Sequence, residues 1–464
     1  MKGIVSYFDE QKGMGTIIGN DGKKYFVHFS KIVGRKLKIL YKNETVSFEV
    51  LSAKDGGKHD RAINIRPVEI EDSDTYKIYR NPFDPNTPIN DPQKFAGRKN
   101  DIRAAVTALA NNNNILITGE RGIGKSSFSN QMLYIGEGDN YLISKANIHL
   151  EDIEHLDYAS ISIRTFKNAE LRDIAGNIIR EFTKKYDLDD KWATEHEIDL
   201  KIYKTKFKQT EKGTDELVDI FNYDIIKIHD SLPNNNGLLI LIDEIENISP
   251  DIGFPNFIKN LSEYFVSERK NINFILSGIS CAITDMFVEH PSFHRLFVPI
   301  SLRELSLIES YELLDIFMNS QKKKIHDDIK TRICKLSYGL PVNLQLLGFW
   351  SYQLDDDNLI TKEDLNATID YIIDNVKKDE YMSKHEIIGF ELAEKILRYT
   401  LKQQEEDEIE INHLKEIFHE NTFDEINLAL KTLEKHELIT KAKKGLYYIK
   451  DQLFFKFLKK HYTS

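Results

Sequence analysis

The chain has 464 residues, 41% of them hydrophobic and 30% charged, with a formal net charge of −11. That length allows about three domains. Several classes are excluded: no apolar run reaches the roughly 18 residues of a membrane span, and the two cysteines, Cys281 and Cys334, are too few for a disulfide framework or a zinc site. Met1–Val5 opens without the long apolar segment of a signal peptide, so a cytoplasmic location with no membrane partner is expected. The charge is uneven. Residues 1–70 carry 13 Lys/Arg against 8 Asp/Glu, so +5, and the remainder carries 50 against 66, so −16. A nucleic-acid partner should therefore meet the N-terminal segment first.

Within residues 1–70, short runs alternate apolar and polar side chains. Strands are predicted at Gly3–Phe8, Gly15–Gly19, Lys24–Phe29, Thr45–Leu51 and His59–Arg66, with a hairpin turn at Asn20-Asp21-Gly22. Five short strands in that length predict a closed barrel of the OB type.

The residues of this segment carry a resemblance. Lys2-Gly3-Ile4-Val5-Ser6-Tyr7-Phe8, then Lys12-Gly13-Met14-Gly15-Thr16-Ile17, then Tyr25-Phe26-Val27-His28-Phe29-Ser30, resemble the opening of a cold-shock domain over about residues 1–68. The resemblance implies a surface on which successive single-stranded bases stack, each stack contributing about 1–3 kcal/mol with little base preference. It points to Tyr7, Lys12, Phe26, His28 and Phe29 as contacts for single-stranded RNA or DNA. This chain departs from the family where Tyr7 replaces a tryptophan and where Met14 and Thr16 replace phenylalanines, which implies a weakened or altered site. The alternative is a module for protein contact, in which Phe26 and Phe29 pack against a neighbour.

Residues 71–95 are predicted to be an extended linker. Asn81 to Pro92 contains four prolines, which exclude a regular helix. A helix is then predicted from the Phe95-Ala96-Gly97-Arg98 stretch to about Ala110.

The stretch Ile115 to Ser127 reads as a buried strand, a glycine-rich turn and a helix start. Gly119, Gly124, Lys125 and Ser126 fit G-x-x-x-x-G-K-[ST], the phosphate-binding loop. Its glycines let the backbone N–H groups of Glu120, Arg121, Gly122, Ile123 and their neighbours face one anion, aided by the helix N-terminus. Lys125 is expected to reach the outer phosphates of ATP, Ser126 to hold Mg²⁺, and Ser127 to line the site.

After a helix to about Tyr134 come a strand at Ala159–Ile163, a helix at Leu171–Phe182, a polar insertion at 187–213 and a helix at Asp215–Asp230. The run Gly237-Leu238-Leu239-Ile240-Leu241-Ile242 is apolar throughout, as a strand buried on both faces of a parallel sheet must be. Asp243 and Glu244 close it. Asp243 is expected to orient Mg²⁺ through water, and Glu244 to activate the attacking water. A further strand ends near Ser277.

In this order the proline-rich strap (Asn81 to Pro92), the Phe-x-Gly-Arg box, a helix and the phosphate loop resemble AAA+ ATPases and the related STAND signalling ATPases over about residues 80–350. The resemblance implies base-side contacts from Gly97 and Arg98, a γ-phosphate or water contact from Ser277, and an arginine finger across a subunit boundary. Arg295 is the first candidate for that finger and Arg303 the second. A homo-oligomer is then expected. Gly339-Leu340-Pro341 resembles the STAND lid signature, in which the proline (Pro341 here) contacts the base. Asn343 stands where AAA+ proteins place a lid arginine, so the resemblance leans toward STAND or the archaeal-type ATPase group.

Helices at Leu305–Asn319, Asp327–Ser337 and Asn343–Tyr352 belong to the lid. Helices at Phe390–Lys402, Ile411–His419 and Phe423–His436, followed by a hairpin, have the order of a winged helix. With 13 basic and 15 acidic side chains in residues 386–464, this part is expected to make protein contacts rather than bind DNA.

The predicted architecture is multidomain: an OB-type β-barrel (1–70), a linker (71–95), a central α/β P-loop NTPase core with a parallel sheet (96–302), a helical lid (303–385) and a winged helix (386–464). The expected function is an ATP-hydrolysing switch that couples nucleotide state to single-stranded nucleic-acid sensing and assembly, with an effector protein as a further partner. By fold-level analogy it would suit stress or anti-phage defence. The alternatives are an ATP-regulated DNA-binding regulator and a nucleotide-gated scaffold with little hydrolysis.

Overall fold

The computed structural model describes residues 1–9, 12–33, 38–42, 44–52, 60–67, 80–149, 156–188, 211–232, 237–279, 293–319, 321, 323–386, 391–402, 408–436, 438–449 and 451–462. They fall into two compact units, Met1–Arg80 and Asn81–Ser464.

The first unit is a five-stranded closed barrel. Strands β1 (Lys2–Asp9), β2 (Met14–Gly19), β3 (Lys24–His28), β4 (Thr45–Leu51) and β5 (Arg61–Pro67) close in the order β1-β2-β3-β5-β4. The period-two pattern decides which side chains enter. Val5, Ile17, Tyr25, Val27, Val46, Phe48, Ala62 and Ile65 form its core. The intervening residues face outward. The predicted start of the fifth strand at His59 lies outside the described residues.

The second unit is built on a parallel sheet. In chain order it contains α1 (Lys99–Ala110), β6 (Asn114–Gly119), α2 (Lys125–Gly136), α3 (Tyr141–Lys145), β7 (Tyr158–Arg164), α4 (Leu171–Lys185), α5 (Glu211–Ser231), β8 (Gly237–Asp243), α6 (Phe254–Ser267), β9 (Ile272–Ile279) and β10 (Phe297–Ser301). The strand order is β10-β6-β9-β8-β7, and every pair is parallel. Most of the predicted insertion, 189–210, lies outside the described residues.

Helices cover both faces of this sheet. Ile115 and Ile117 of β6, with Leu239 and Leu241 of β8, pack under α1, α2 and α3. Leu116, Leu238, Ile240 and Ile242 face α4, α5 and α6 on the other side. That is why the β6 and β8 sequences are apolar at successive positions rather than alternating. The carboxyl ends of β6 and β8 flank β9, so the phosphate loop and Asp243 meet at one sheet edge.

The segment expected from the sequence to form the lid contains α7 (Leu307–Met318), β11 (Lys324–Ile325), α8 (Asp327–Ser337), α9 (Pro341–Leu354), β12 (Leu359–Ile360), α10 (Lys362–Tyr371) and α11 (Lys378–Glu386). Ser306 caps α7 in a reciprocal box with Glu309. Pro341 occupies the first turn of α9, where its missing N–H leaves no gap in the helix ladder.

The last part contains α12 (Glu391–Lys402), β13 (Glu408–Glu410), α13 (Ile411–Ile417), α14 (Phe423–Lys435), β14 (Ile439–Lys443), β15 (Leu446–Ile449) and α15 (Gln452–Tyr462). Its antiparallel sheet runs β13-β15-β14. Sequence periodicity misses β13 and the closing helix α15. Among the described residues no helix is long and apolar enough to cross a membrane.

Candidate functional site

A cavity of about 500 Å³ opens at the carboxyl edge of the parallel sheet. One wall is the phosphate loop, where Arg121, Gly122, Gly124, Lys125, Ser126 and Ser127 line it. Gly122 and Gly124 have φ of 76° and 94°, conformations that L side chains rarely adopt. A Cβ at Gly122 would lie 2.4 Å from Cγ1 of Val342, so a side chain there would also push the lid away.

The Lys125 ammonium folds back on its own loop, donating to the carbonyls of Gly119 at 3.1 Å and Glu120 at 2.9 Å. Burial lowers its pKa, against the opposing pull of Glu246 and Asp243. Those carbonyls occupy the donors that phosphate oxygens would take.

The opposite wall is the end of β8. Asp243 is 6% exposed, and one of its oxygens accepts from the Glu244 N–H at 3.0 Å. Glu244 has φ 60°, an uncommon conformation for a residue with a Cβ. The turn is held by the Thr165 hydroxyl, which donates to the Glu244 carbonyl. The Glu244 carboxylate meets Arg164 Nε at 3.6 Å and accepts from Asn247 Nδ2 at 3.3 Å. Glu246, also on the wall, accepts from the N–H of Ile279 at the end of β9.

The third wall comes from the strap, which the sequence presents only as an extended linker between domains. Asp84, Pro85, Asn86, Thr87, Pro88 and Ile89 line the cavity. Asp84 shapes the strap by accepting from the Asn86 N–H and the Thr87 hydroxyl. The Ile89 N–H donates to Ser127 Oγ at 3.0 Å, and Gln131 donates to the Ile89 carbonyl at 2.8 Å. At its other end Phe83 is 2% exposed and stacks on Phe317 with centroids 5.2 Å apart. The lid closes the fourth side with Pro341, Val342 and Gln345. The Val342 N–H donates to the Gly122 carbonyl at 3.3 Å.

Gly97 and Arg98, for which the sequence predicts base-side contacts, do not line this cavity. Arg98 is 6% exposed, with φ 61°. Its guanidinium donates to the carbonyls of Arg303 and Ile123, and its N–H donates to Glu309 at 2.7 Å. Burial lowers its pKa, against the fields of Asp101 and Glu309. Burial alone would raise the Glu309 carboxyl, but hydrogen bonds from Ser306 and Arg98 hold it below its ordinary value. A Cβ at Gly97 would lie 2.6 Å from Glu309 Oε1. This pair docks the core on α7.

The remaining predicted residues are scattered. Gly119, Glu120 and Ile123 belong to the loop but do not line the cavity. Ser277 lies beside Ile117 in the sheet register, fully buried and outside the cavity lining. Arg295 is exposed on the turn before β10, and Arg303 is exposed just beyond that strand. Neither lines the cavity.

The donor set fits a magnesium nucleotide. It has one ammonium, glycines at positive φ before a helix N-terminus, a serine hydroxyl at the first turn and a buried carboxylate opposite. Lys125, Ser126 and Asp243 would hold the group.

The barrel has its own candidate face. The registers Tyr7↔Thr16, Thr16↔Phe26 and Phe26↔Arg61 put four residues in one row across β1, β2, β3 and β5. Met14 and His28 are paired in the next row, and Phe29 lies against His28 with centroids 4.7 Å apart. Tyr7 and Phe29 are 58% and 44% exposed, so their rings are open to solvent. Lys12 is exposed beside Asp9 at 3.8 Å. Arg61 adds a cation to this face, a residue the sequence does not single out because its strand pairing is non-local.

Residues 1–68 match the family described as "'Cold-shock' DNA-binding domain". Over 69 residues the chain is 44% identical to the cold shock-like protein CspC of Shigella flexneri, a match covering 15% of this chain and 96% of that protein. It is 41% identical over 64 residues to the cold shock-like protein CspJ of Salmonella typhi, covering 14% and 87%. Among solved structures, a Walker-type ATPase of Pyrococcus abyssi matches at TM-score 0.53 and 15% identity, covering 82% of this chain and 99% of that one. The ORC2 protein of Aeropyrum pernix, solved with ADPNP and ADP, matches at TM-score 0.51 and 14% identity, covering 83% and 99%. At those identities the likeness is one of fold: the second unit has the fold of Walker-type P-loop ATPases.

Proposed function

Because the chain belongs to the cold-shock domain family through residues 1–68, we propose that it is an ATP-hydrolysing switch whose barrel binds single-stranded nucleic acid. The observation that carries the ATPase half is the meeting of Lys125 with Asp243 and Glu244 in one cavity at the sheet edge. Lys125 would exchange its bonds to the Gly119 and Glu120 carbonyls for bonds to phosphate oxygens. Ser126 and Asp243 would hold Mg²⁺, which when bound would neutralise phosphate charge. Glu244 would accept a proton from the attacking water. The strap and Pro341 would enclose the base, and Arg295 would serve a neighbouring copy in a homo-oligomer.

The row Tyr7, Thr16, Phe26 and Arg61 supports the nucleic-acid half. Aromatic faces stack bases, and Arg61 and Lys12 meet phosphate. On the C-terminal part, α14 exposes Asp424, Glu425, Phe423 and Leu428. Acidic and apolar side chains favour contact with an effector protein over contact with DNA, so we read the winged-helix order as a protein-binding module.

A second reading has one observation behind it. Arg164 and Asn247 both engage the Glu244 carboxylate, which would slow proton abstraction and favour a nucleotide-gated scaffold with little hydrolysis. Phosphate release from Mg-ATP by the full chain decides between the two readings. Turnover that is abolished by Glu244→Gln supports the switch; no turnover at any protein concentration, with or without single-stranded RNA, supports the scaffold.

A further inference from the structure

A second cavity, of about 550 Å³, lies in the lid, separate in lining from the nucleotide cavity. Its walls come from the segment entering α7, from the end of α8 and from Gln452 at the start of α15. The body of the cavity is apolar: Leu305, Leu307 and Leu336 line it, and Leu307 is 48% exposed at its mouth. Tyr338 adds a ring held in place by stacking on Tyr448, with centroids 5.1 Å apart.

One side of this apolar space is cationic. Arg332 and Lys335 lie one helical turn apart on α8, and both line it. Among the described residues neither side chain has an ion pair or a hydrogen bond. The one carboxylate on the wall, Glu304, lies in the field of Arg98. The wall therefore carries a net positive charge beside a leucine and tyrosine surface. Cys334 also lines it, but burial pushes its thiol up to about 12, so it stays protonated and behaves as an apolar side chain.

We propose that this lid cavity is a binding site for a small amphipathic anion, with a flat apolar body against Leu305, Leu336 and Tyr338 and an acidic group on Arg332 and Lys335. A cavity of this size, mostly apolar with a few convergent polar groups, is the form small-ligand sites take. Its lining also runs into the segment that carries Pro341. The Leu305 N–H donates to the Gly339 carbonyl at 2.8 Å, and Gly339 is two residues before Pro341 on the nucleotide cavity. Tyr338 has φ 52°, uncommon for a residue with a Cβ, and Gly339 has φ 71°, which glycine adopts freely. A ligand wedged against this segment would bias how Pro341 and Val342 meet the phosphate loop.

The site itself does not depend on the nucleotide reading, and the test uses a probe other than nucleotide. The probe is 8-anilinonaphthalene-1-sulfonate, an aromatic anion that fluoresces on entering an apolar site, titrated against the full chain. The expected result is saturable binding at one site, weakened about ten-fold or more by Arg332→Glu and unchanged by Lys362→Glu, a reversal on an exposed lysine elsewhere on the lid. Should Arg332→Glu lower the melting temperature, Lys335→Glu at an exposed position reads the same quantity. Equal effects of the lid-cavity and control reversals, non-saturable binding, or complete displacement of the probe by Mg-ATP would each overturn the proposal.

Discussion

The guanidinium of Arg98 donates to the carbonyl of Ile123 at 2.8 Å, so a residue before the first helix holds the phosphate loop from behind. The same group reaches the carbonyl of Arg303 at the entry to the lid. One buried cation thus ties the loop to the segment leading into α7. Arg98→Ala would leave the Arg303 and Ile123 carbonyls without their donor, while the backbone N–H to Glu309 would remain. The expected loss is about 2–4 kcal/mol of stability, measured by urea unfolding of the full chain. Arg98→Lys should recover little, because an ammonium cannot span two carbonyls as a planar fork does.

The Glu244 carboxylate gives a prediction with two opposite signs. Glu244→Gln should abolish phosphate release while leaving ATP affinity within a few-fold. Arg164→Ala should raise basal turnover, since it removes the ion pair at 3.6 Å. Both are read in a steady-state assay. A drop in turnover on Arg164→Ala would mean that the arginine assists hydrolysis rather than restraining the carboxylate.

The strap should matter for nucleotide affinity although it is distant in sequence from much of what it touches. Phe83→Ala removes a fully buried ring packed on Phe317 and Gly348, at an expected cost of about 3–5 kcal/mol. Gly348→Ala tests the same contact from the other side, because its Cβ would lie 2.5 Å from the Phe83 ring. In both variants ATP affinity, measured by isothermal titration, should fall by more than ten-fold. Retained affinity would separate the strap from the nucleotide wall.

On the barrel, Phe26→Ala with His28→Ala should weaken binding to random single strands by ten-fold or more, since each lost stack removes about 1–3 kcal/mol. Arg61→Ala should weaken binding less and reduce its salt dependence. Fluorescence anisotropy at two salt concentrations reads both effects. Unchanged affinity would mean that the exposed rings serve a protein contact.

What was legible in the sequence was what is local in it. The phosphate loop is contiguous, and its residue types follow from packing backbone N–H groups around an anion. Asp243 and Glu244 stand out because β8 is buried on both faces and any charge marks its end. The barrel strands show in their alternation. By contrast, the strap wall depends on Ile89 meeting Ser127 and Asp84 meeting Gln345, pairings set by the tertiary fold. The role of Arg98 depends on a left-handed backbone and on burial, neither of which its neighbours signal. The contact of Glu244 with Arg164 depends on β7 and β8 being adjacent in register. Ser277, expected at the phosphates from its place near a strand end, lies buried beside Ile117 and outside the cavity lining.

The central claim is that nucleic acid on the barrel changes the work of the ATPase site. It is tested most directly by the ATPase rate of the full chain against protein concentration, with and without single-stranded RNA. The account predicts a rate per chain that rises with concentration and shifts several-fold with RNA, the RNA effect vanishing in the Phe26→Ala, His28→Ala variant. A rate indifferent to RNA, or an RNA effect that survives in that variant, would contradict it.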